Sequence, residues 1–228
     1  MGVFGHGSKV TVGDKTFDVW GWYGDDVPCD LIPIAPNIAI QPNYHITAAD
    51  SREIEKVDIS MCYTKTTQQV VIKSCTFTGS TILADGLKVR DINKFPIESI
   101  IREFTPDVYG YDTDQYFGPL LPWNEVIANV PLKKMGEKGP TQEVLRWVAR
   151  VYYMQHINRI PPTKTIAEVF GIPQRTASHW VKLMRERVRK PYFDTLHVEN
   201  MAPSTINILI CAPDDATKMF YNVVGLES

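Results

Sequence analysis

Apolar and polar residues alternate through the first half of the chain and recur at helical spacing in the second. Val10 and Val12, Phe17 and Val19, and Ile38 and Ile40 are pairs spaced by two, the period of strands that bury one face. The glycine- and aspartate-rich Trp20-Gly-Trp-Tyr-Gly-Asp-Asp segment and the prolines Pro28, Pro33, Pro36 and Pro42 oppose helix there, so the first 50 residues read as short strands and ordered loops. The β-branched runs Ile54–Thr64 and Gln69–Thr78, joined by a polar, threonine-rich link, predict two antiparallel strands. Leu87–Ile92 follows the Asp85-Gly86 turn as a third, and Pro96–Phe104 carries the spacing of a short helix. The pattern predicts a small sheet capped by a helix.

Residues 105–140 are rich in Pro, Gly, Asp and Tyr, and the basic stretch 131–140 reads as a linker. Tyr109–Trp123 is too aromatic for a bare tether and is expected to pack on the N-terminal domain or on a partner. Thr205–Ala212 is a further strand candidate, either returning to the N-terminal sheet or pairing with a second copy, because an unpaired apolar edge invites aggregation. The fold class predicted is α+β: a β-rich domain over 1–130 for assembly or partner binding, a linker over 131–140, a three-helix domain over 141–190, and a C-terminal extension over 191–228.

The three helices are read from their faces. Thr141 caps a helix in which Val144, Val148, Val151 and Tyr152 share one side, with Arg146 and Arg150 pointing elsewhere. Pro161 and Pro162 interrupt the chain, and Thr163 is expected to cap a second helix through Ile166, Ala167, Val169 and Phe170. Gly171 supplies a left-handed turn, Ile172 is expected to plug the core, and Pro173 leads into a third helix. There Ala177, Trp180, Val181 and Met184 form a buried stripe, leaving Gln174, Arg175, Ser178, His179 and Lys182 outward.

The charge distribution gives this outward set a meaning. The net charge is −2, yet residues 131–190 hold thirteen Lys/Arg against four Asp/Glu, while the remainder holds 11 against 22. A basic module attached to an acidic body suits a polyanion, and a helix-turn-helix is the arrangement that presents such a helix to the DNA major groove. The spacing of Ala167, Gly171 and Ala177 fits that motif. Base-edge contact is expected from Gln174, Arg175, Ser178, His179 and Lys182, with Arg175 matched to guanine and Gln174 to adenine. Backbone contact is expected from Thr163, Lys164, Thr176, Arg185, Arg187, Arg189 and Lys190.

Residues 162–187 resemble helix-turn-helix DNA-binding proteins of actinobacteria and their phages, and the likeness extends upstream to the hairpin and short helix of Ile46–Phe104 and to the helix at Thr141–His156. Residues 1–45 and 191–228 lie outside it. The resemblance implies DNA binding and transcriptional control. One departure concerns the start of the third helix, where Pro173 stands in place of a capping serine.

Other chemistry is thinly represented. The sequence has no phosphate-cradling glycine loop, no HExxH and no GxSxG, and its acidic pairs Asp25-Asp26, Asp112 with Asp114, and Asp214-Asp215 sit in turn-rich contexts. Cys29, Cys62, Cys75 and Cys211 have no zinc-ligand spacing and read as isolated packing thiols, the alternative being that Cys62 and Cys75 are adjacent across a hairpin. Neither an enzymatic activity, a metal nor a cofactor is expected. No apolar run approaches the ~20 residues of a membrane span, so a soluble protein of a bacterial or phage-infected cytoplasm is expected. The partners expected are double-stranded DNA, a second copy of the chain as a homodimer, and a protein partner at the N-terminal domain. The competing readings are a phage structural or DNA-packaging recognition subunit and an adaptor that uses its basic helix against an acidic protein.

Overall fold

The computed structural model describes residues 7–12, 15–22, 31–50, 55–79, 92, 96–103, 108–111, 117–121 and 123–188. The class is α+β, with antiparallel sheet toward the N-terminus and helices toward the C-terminus. The chain divides into two compact units. One draws mainly on Met1–Val27, Pro42–Thr64 and Val70–Thr105, the other mainly on Pro28–Gln41 and the chain from Pro106 onward.

Among the described residues, the first unit is built on a five-stranded sheet. β1 (Gly7–Val12) and β2 (Lys15–Trp22) form a tight hairpin in which Val12 stands opposite Lys15. In the second unit, β3 (Ile32–Ala35) and β4 (Ile38–Ile40) follow. The chain then returns to the first sheet as β5 (Asn43–Asp50), β6 (Glu55–Thr64) and β7 (Gln69–Gly79), giving the order β1-β2-β5-β6-β7. β2 and β6 both run antiparallel to β5, with Trp22 opposite His45 and Asn43 opposite Cys62. Alternation does here what the sequence predicts for Val10, Phe17, Val19, Val57, Ile59 and Met61, and Tyr44, Ile46 and Ala48 of β5, for which no alternation is predicted, join them on the one buried face. Helix α1 (Ile97–Glu103) packs against β1 and buries Ile100 completely. Of the third expected strand, residues 87–91 lie outside the described residues, as does all of 205–212.

Among the described residues, the second unit holds a four-stranded sheet and five helices. β8 (Val108–Tyr111) and β9 (Phe117–Leu121) complete the order β3-β4-β8-β9. Ile38 pairs with Gly110 and Ile40 with Val108, so the hairpin at 32–40 belongs with chain some seventy residues later. Every residue of β3 and β4 is buried, including Ala39 between Ile38 and Ile40, so these strands are covered on both faces rather than one. The helices are α2 (Trp123–Asn129), α3 (Leu132–Gly136), α4 (Gln142–Ile157), α5 (Pro162–Phe170) and α6 (Gln174–Arg187). Each of α4, α5 and α6 packs against the other two, α3 packs on α5, and α4 packs on β3.

Several expectations are corrected. A single domain over 1–130 gives way to a division in which β3, β4, β8, β9 and α2 cluster with the helices. The segment 131–140 is no linker: Leu132, Met135 and Gly136 of α3 are buried, and a Cβ added at Gly136 would stand 2.7 Å from the Phe170 carbonyl oxygen. Tyr109–Trp123 supplies β8, β9 and the start of α2, with Trp123 fully buried. Arg150 is 2% exposed, its Nε donating to the Pro36 carbonyl at 2.9 Å and its guanidinium 4.4 Å above the Trp147 ring. Tyr152, expected on the buried face of α4, is only half-buried, and burial extends instead to Leu145, Trp147 and Met154, around most of the helix. Ile172 is half-buried as well.

Candidate nucleic-acid interface

Local chemistry sets the ends of these helices. The Thr141 hydroxyl accepts from the Val144 N–H, capping α4. α5 begins differently from the expectation: Pro161 is its cap and Pro162 its first residue, so Thr163 lies inside the helix, half-buried, and caps nothing. At its other end Gly171 takes φ 64° and ψ 33°, and the Ile172 N–H returns 3.0 Å to the Ala167 carbonyl while the Gly171 N–H reaches that of Glu168. This double closure through a left-handed residue turns the chain sharply after α5. α6 starts at Gln174 after Pro173, again with no side-chain cap. The N–H groups of the first turns of α5 and α6 are therefore left to solvent or to an anion.

The turn fixes which face of α6 is inward. Ala177, Trp180, Val181 and Met184 are buried, as predicted, and Leu183 and Val188 join them. Trp180 meets Phe170 of α5 edge-to-face with ring centroids 5.8 Å apart. With that stripe locked, Gln174, Arg175, Ser178, His179 and Lys182 are all exposed. The Ser178 hydroxyl donates back to the Gln174 carbonyl at 3.0 Å, which leaves its oxygen as an acceptor toward anything approaching from outside. Arg175, His179, Lys182 and Glu186 follow the spacing of one outward stripe, which turns acidic at Glu186, while the last turn carries the exposed Arg185 and Arg187 beside it.

The residues expected at a phosphate backbone are less uniform. Lys164 is exposed and lies 3.9 Å from Glu168 one turn on, a weak, well-solvated pair. Thr176 is half-buried. Arg187 is exposed, and so is Arg185, which bonds the Tyr152 hydroxyl of α4. Arg189 and Lys190 lie outside the described residues.

Sequence reasoning missed the contribution of α3. Lys133, Lys134 and Lys138 are exposed on a helical turn built into the module, and the Lys133 side-chain stem lies 3.6 Å from where a Gly171 Cβ would stand, beside the turn between α5 and α6. The apolar pair Leu132 and Met135, three apart within the basic stretch, was the signal the sequence offered. Of the thirteen Lys/Arg in 131–190, ten are exposed and only Arg150 is buried among those described.

A second polar group sits on the face of the five-stranded sheet opposite Phe17 and Ile46. His45 Nδ1 and Ser60 Oγ are 3.0 Å apart, the Thr47 hydroxyl donates to Asp58 at 2.6 Å, and Lys56 pairs with Asp58 at 2.9 Å. Burial lowers the His45 pKa, opposed by Asp58 and reinforced by Lys73. Asp58 is committed to Thr47 and Lys56, so this is a cross-strand network of the sheet rather than an assembled nucleophile and base. Cys62 and Cys75 are free and half-buried, and burial together with the Asp58 charge raises the Cys75 thiol pKa, the opposite of activation. The acidic pairs at 25–26, 112–114 and 214–215 lie outside the described residues, among which no group of three or more His, Cys, Asp or Glu could hold a metal ion. No described helix is long and apolar enough to cross a membrane.

Compared with known proteins, the chain matches no family model, no curated protein and no solved structure.

Proposed function

We propose that this protein binds double-stranded DNA in a sequence-specific manner, with α5 and α6 acting as a helix-turn-helix and α6 entering the major groove. The observation that carries the reading is the turn at Gly171, which pins Ala177, Trp180, Val181 and Met184 inward and holds Gln174, Arg175, Ser178, His179 and Lys182 outward on the first turns of α6. Those side chains offer donors and acceptors that match base edges: Arg175 two parallel donors for guanine, Gln174 a donor and acceptor for adenine. Thr163, Lys164, Arg185, Arg187 and the α3 lysines flank this stripe and supply sequence-independent contact with phosphate. Transcriptional control is the role that such a module serves here, and a homodimer reading two half-sites about one helical turn apart is the arrangement that raises its affinity.

Selection from a randomised duplex pool at about 150 mM salt tests the proposal. An enriched motif is expected, and palindromy in that motif reports the dimer. Uniform retention would favour a DNA-packaging role, and no retention would favour an adaptor that meets an acidic protein.

A further inference from the structure

Arg185 near the C-terminal end of α6 is held in an unusual way for an exposed arginine. Its Nη2 donates to the Tyr152 hydroxyl at 2.7 Å, and its guanidinium carbon lies 5.2 Å from the centre of the same ring. Tyr152 is itself fixed: its ring stacks on His156 with centroids 6.1 Å apart and planes 11° from parallel, and meets Tyr153 edge-on at 5.3 Å. The guanidinium is thus oriented by a neutral phenol, which takes one of its five donors and none of its charge. Compare Lys164, whose partner Glu168 is a carboxylate that offsets the cation.

We infer that Tyr152 is a positioning residue for Arg185, holding its guanidinium in advance for a phosphate of the DNA backbone beside the groove that α6 enters. This rests on the DNA-binding reading and adds to it a residue of α4. An unrestrained arginine loses rotamer freedom when it grips a phosphate; one already held by Tyr152 has lost most of it on folding. The remaining N–H donors keep the fork geometry that suits two phosphate oxygens. Because phosphate contact is independent of sequence, the effect is uniform over all duplexes.

The test measures binding of the full chain, Tyr152→Phe, Arg185→Ala and the double variant to a mixed-sequence duplex of about 30 base pairs across a salt series, with thermal melts as a check on folding. Arg185→Ala is expected to reduce the slope of log K against log salt by about 0.9, the value for one phosphate. Tyr152→Phe is expected to weaken binding about 3- to 10-fold with its slope unchanged, and to have no effect once Arg185 is alanine. Folded variants whose effects simply add, or a Tyr152→Phe protein that binds as tightly as the parent, overturn the positioning role while leaving DNA binding intact. A parent chain that binds no duplex at any salt overturns the DNA-binding reading itself, and this role with it.

Discussion

Arg150 and Pro36 are 114 positions apart in the chain and joined by one hydrogen bond, from the Arg150 Nε to the Pro36 carbonyl at 2.9 Å. Pro36 and Asn37 form the turn between β3 and β4, with Asn37 in the left-handed region at φ 59°, so the bond ties that hairpin to the middle of α4. Replacing Arg150 with Met keeps an apolar stem beside Trp147 but takes the donor from a part-buried carbonyl. A loss of about 1–3 kcal/mol is expected, read as a lower denaturation midpoint at unchanged slope.

Gly136 tests whether α3 is part of the helical module. A methyl group there would stand 2.7 Å from the Phe170 carbonyl oxygen, a backbone atom at the end of α5 that has no free rotation to relieve the clash. Gly136→Ala is expected to cost about 1–3 kcal/mol by overpacking. Lys134→Ala, at an exposed position of the same helix, is the control. Equal melting temperatures for the two variants would contradict the close approach of α3 to α5.

Arg159 ends α4 in the conformation that glycine favours, at φ 59°, with the Ile160 N–H returning to the Gln155 carbonyl at 3.0 Å and its own N–H to that of His156. Removing the side chain relieves the left-handed strain but frees the unfolded chain, so Arg159→Gly is expected to stabilise by a net of about 0.5 kcal/mol. Thermal unfolding at fixed pH and salt gives the sign directly.

For the proposed reading of DNA, Arg175→Ala is expected to weaken binding to the selected motif by about 1–3 kcal/mol while leaving binding to unrelated duplex nearly unchanged. Lys182 and Arg175 occupy the same outward stripe, so parallel measurements on Lys182→Ala show how far along α6 the discrimination extends. A loss equal on all sequences would reassign Arg175 to the backbone.

His45 sets a pH dependence in the sheet. Burial lowers its folded-state pKa below the ordinary value of about 6.5, so the unfolded chain binds the proton more readily. The stability it contributes is complete above about pH 6.5 and falls as the pH drops through that value toward the lower folded pKa. His45→Gln is expected to flatten the stability profile over that window, measured by denaturant titration from pH 7.5 to about 5. A variant profile as steep as the parent's would place the titration elsewhere.

The amino-acid sequence by itself determined the elements whose cause is local. Alternation around Phe17, Val19 and Ile59 set strand faces, because a period of two admits one buried side. The Thr141 cap, the Gly171 turn and the stripe from Ala177 to Met184 are each set within a few residues, and the exposed set on α6 follows from them. Only the tertiary structure decided what depends on partners distant in the chain. The pairing of Ile38 with Gly110 moved a hairpin from one unit to the other, since apolar residues in β3 and β4 say that they are covered but not by what. Gly136 and the lysines beside it read as a flexible tether until Phe170 was placed against them. Arg150 reads as a surface cation until the Pro36 carbonyl and the Trp147 ring supply the contacts that let it be buried. In each case the free energy comes from a contact across a long loop, and residue type and spacing along the chain carry no record of which distant group will meet it.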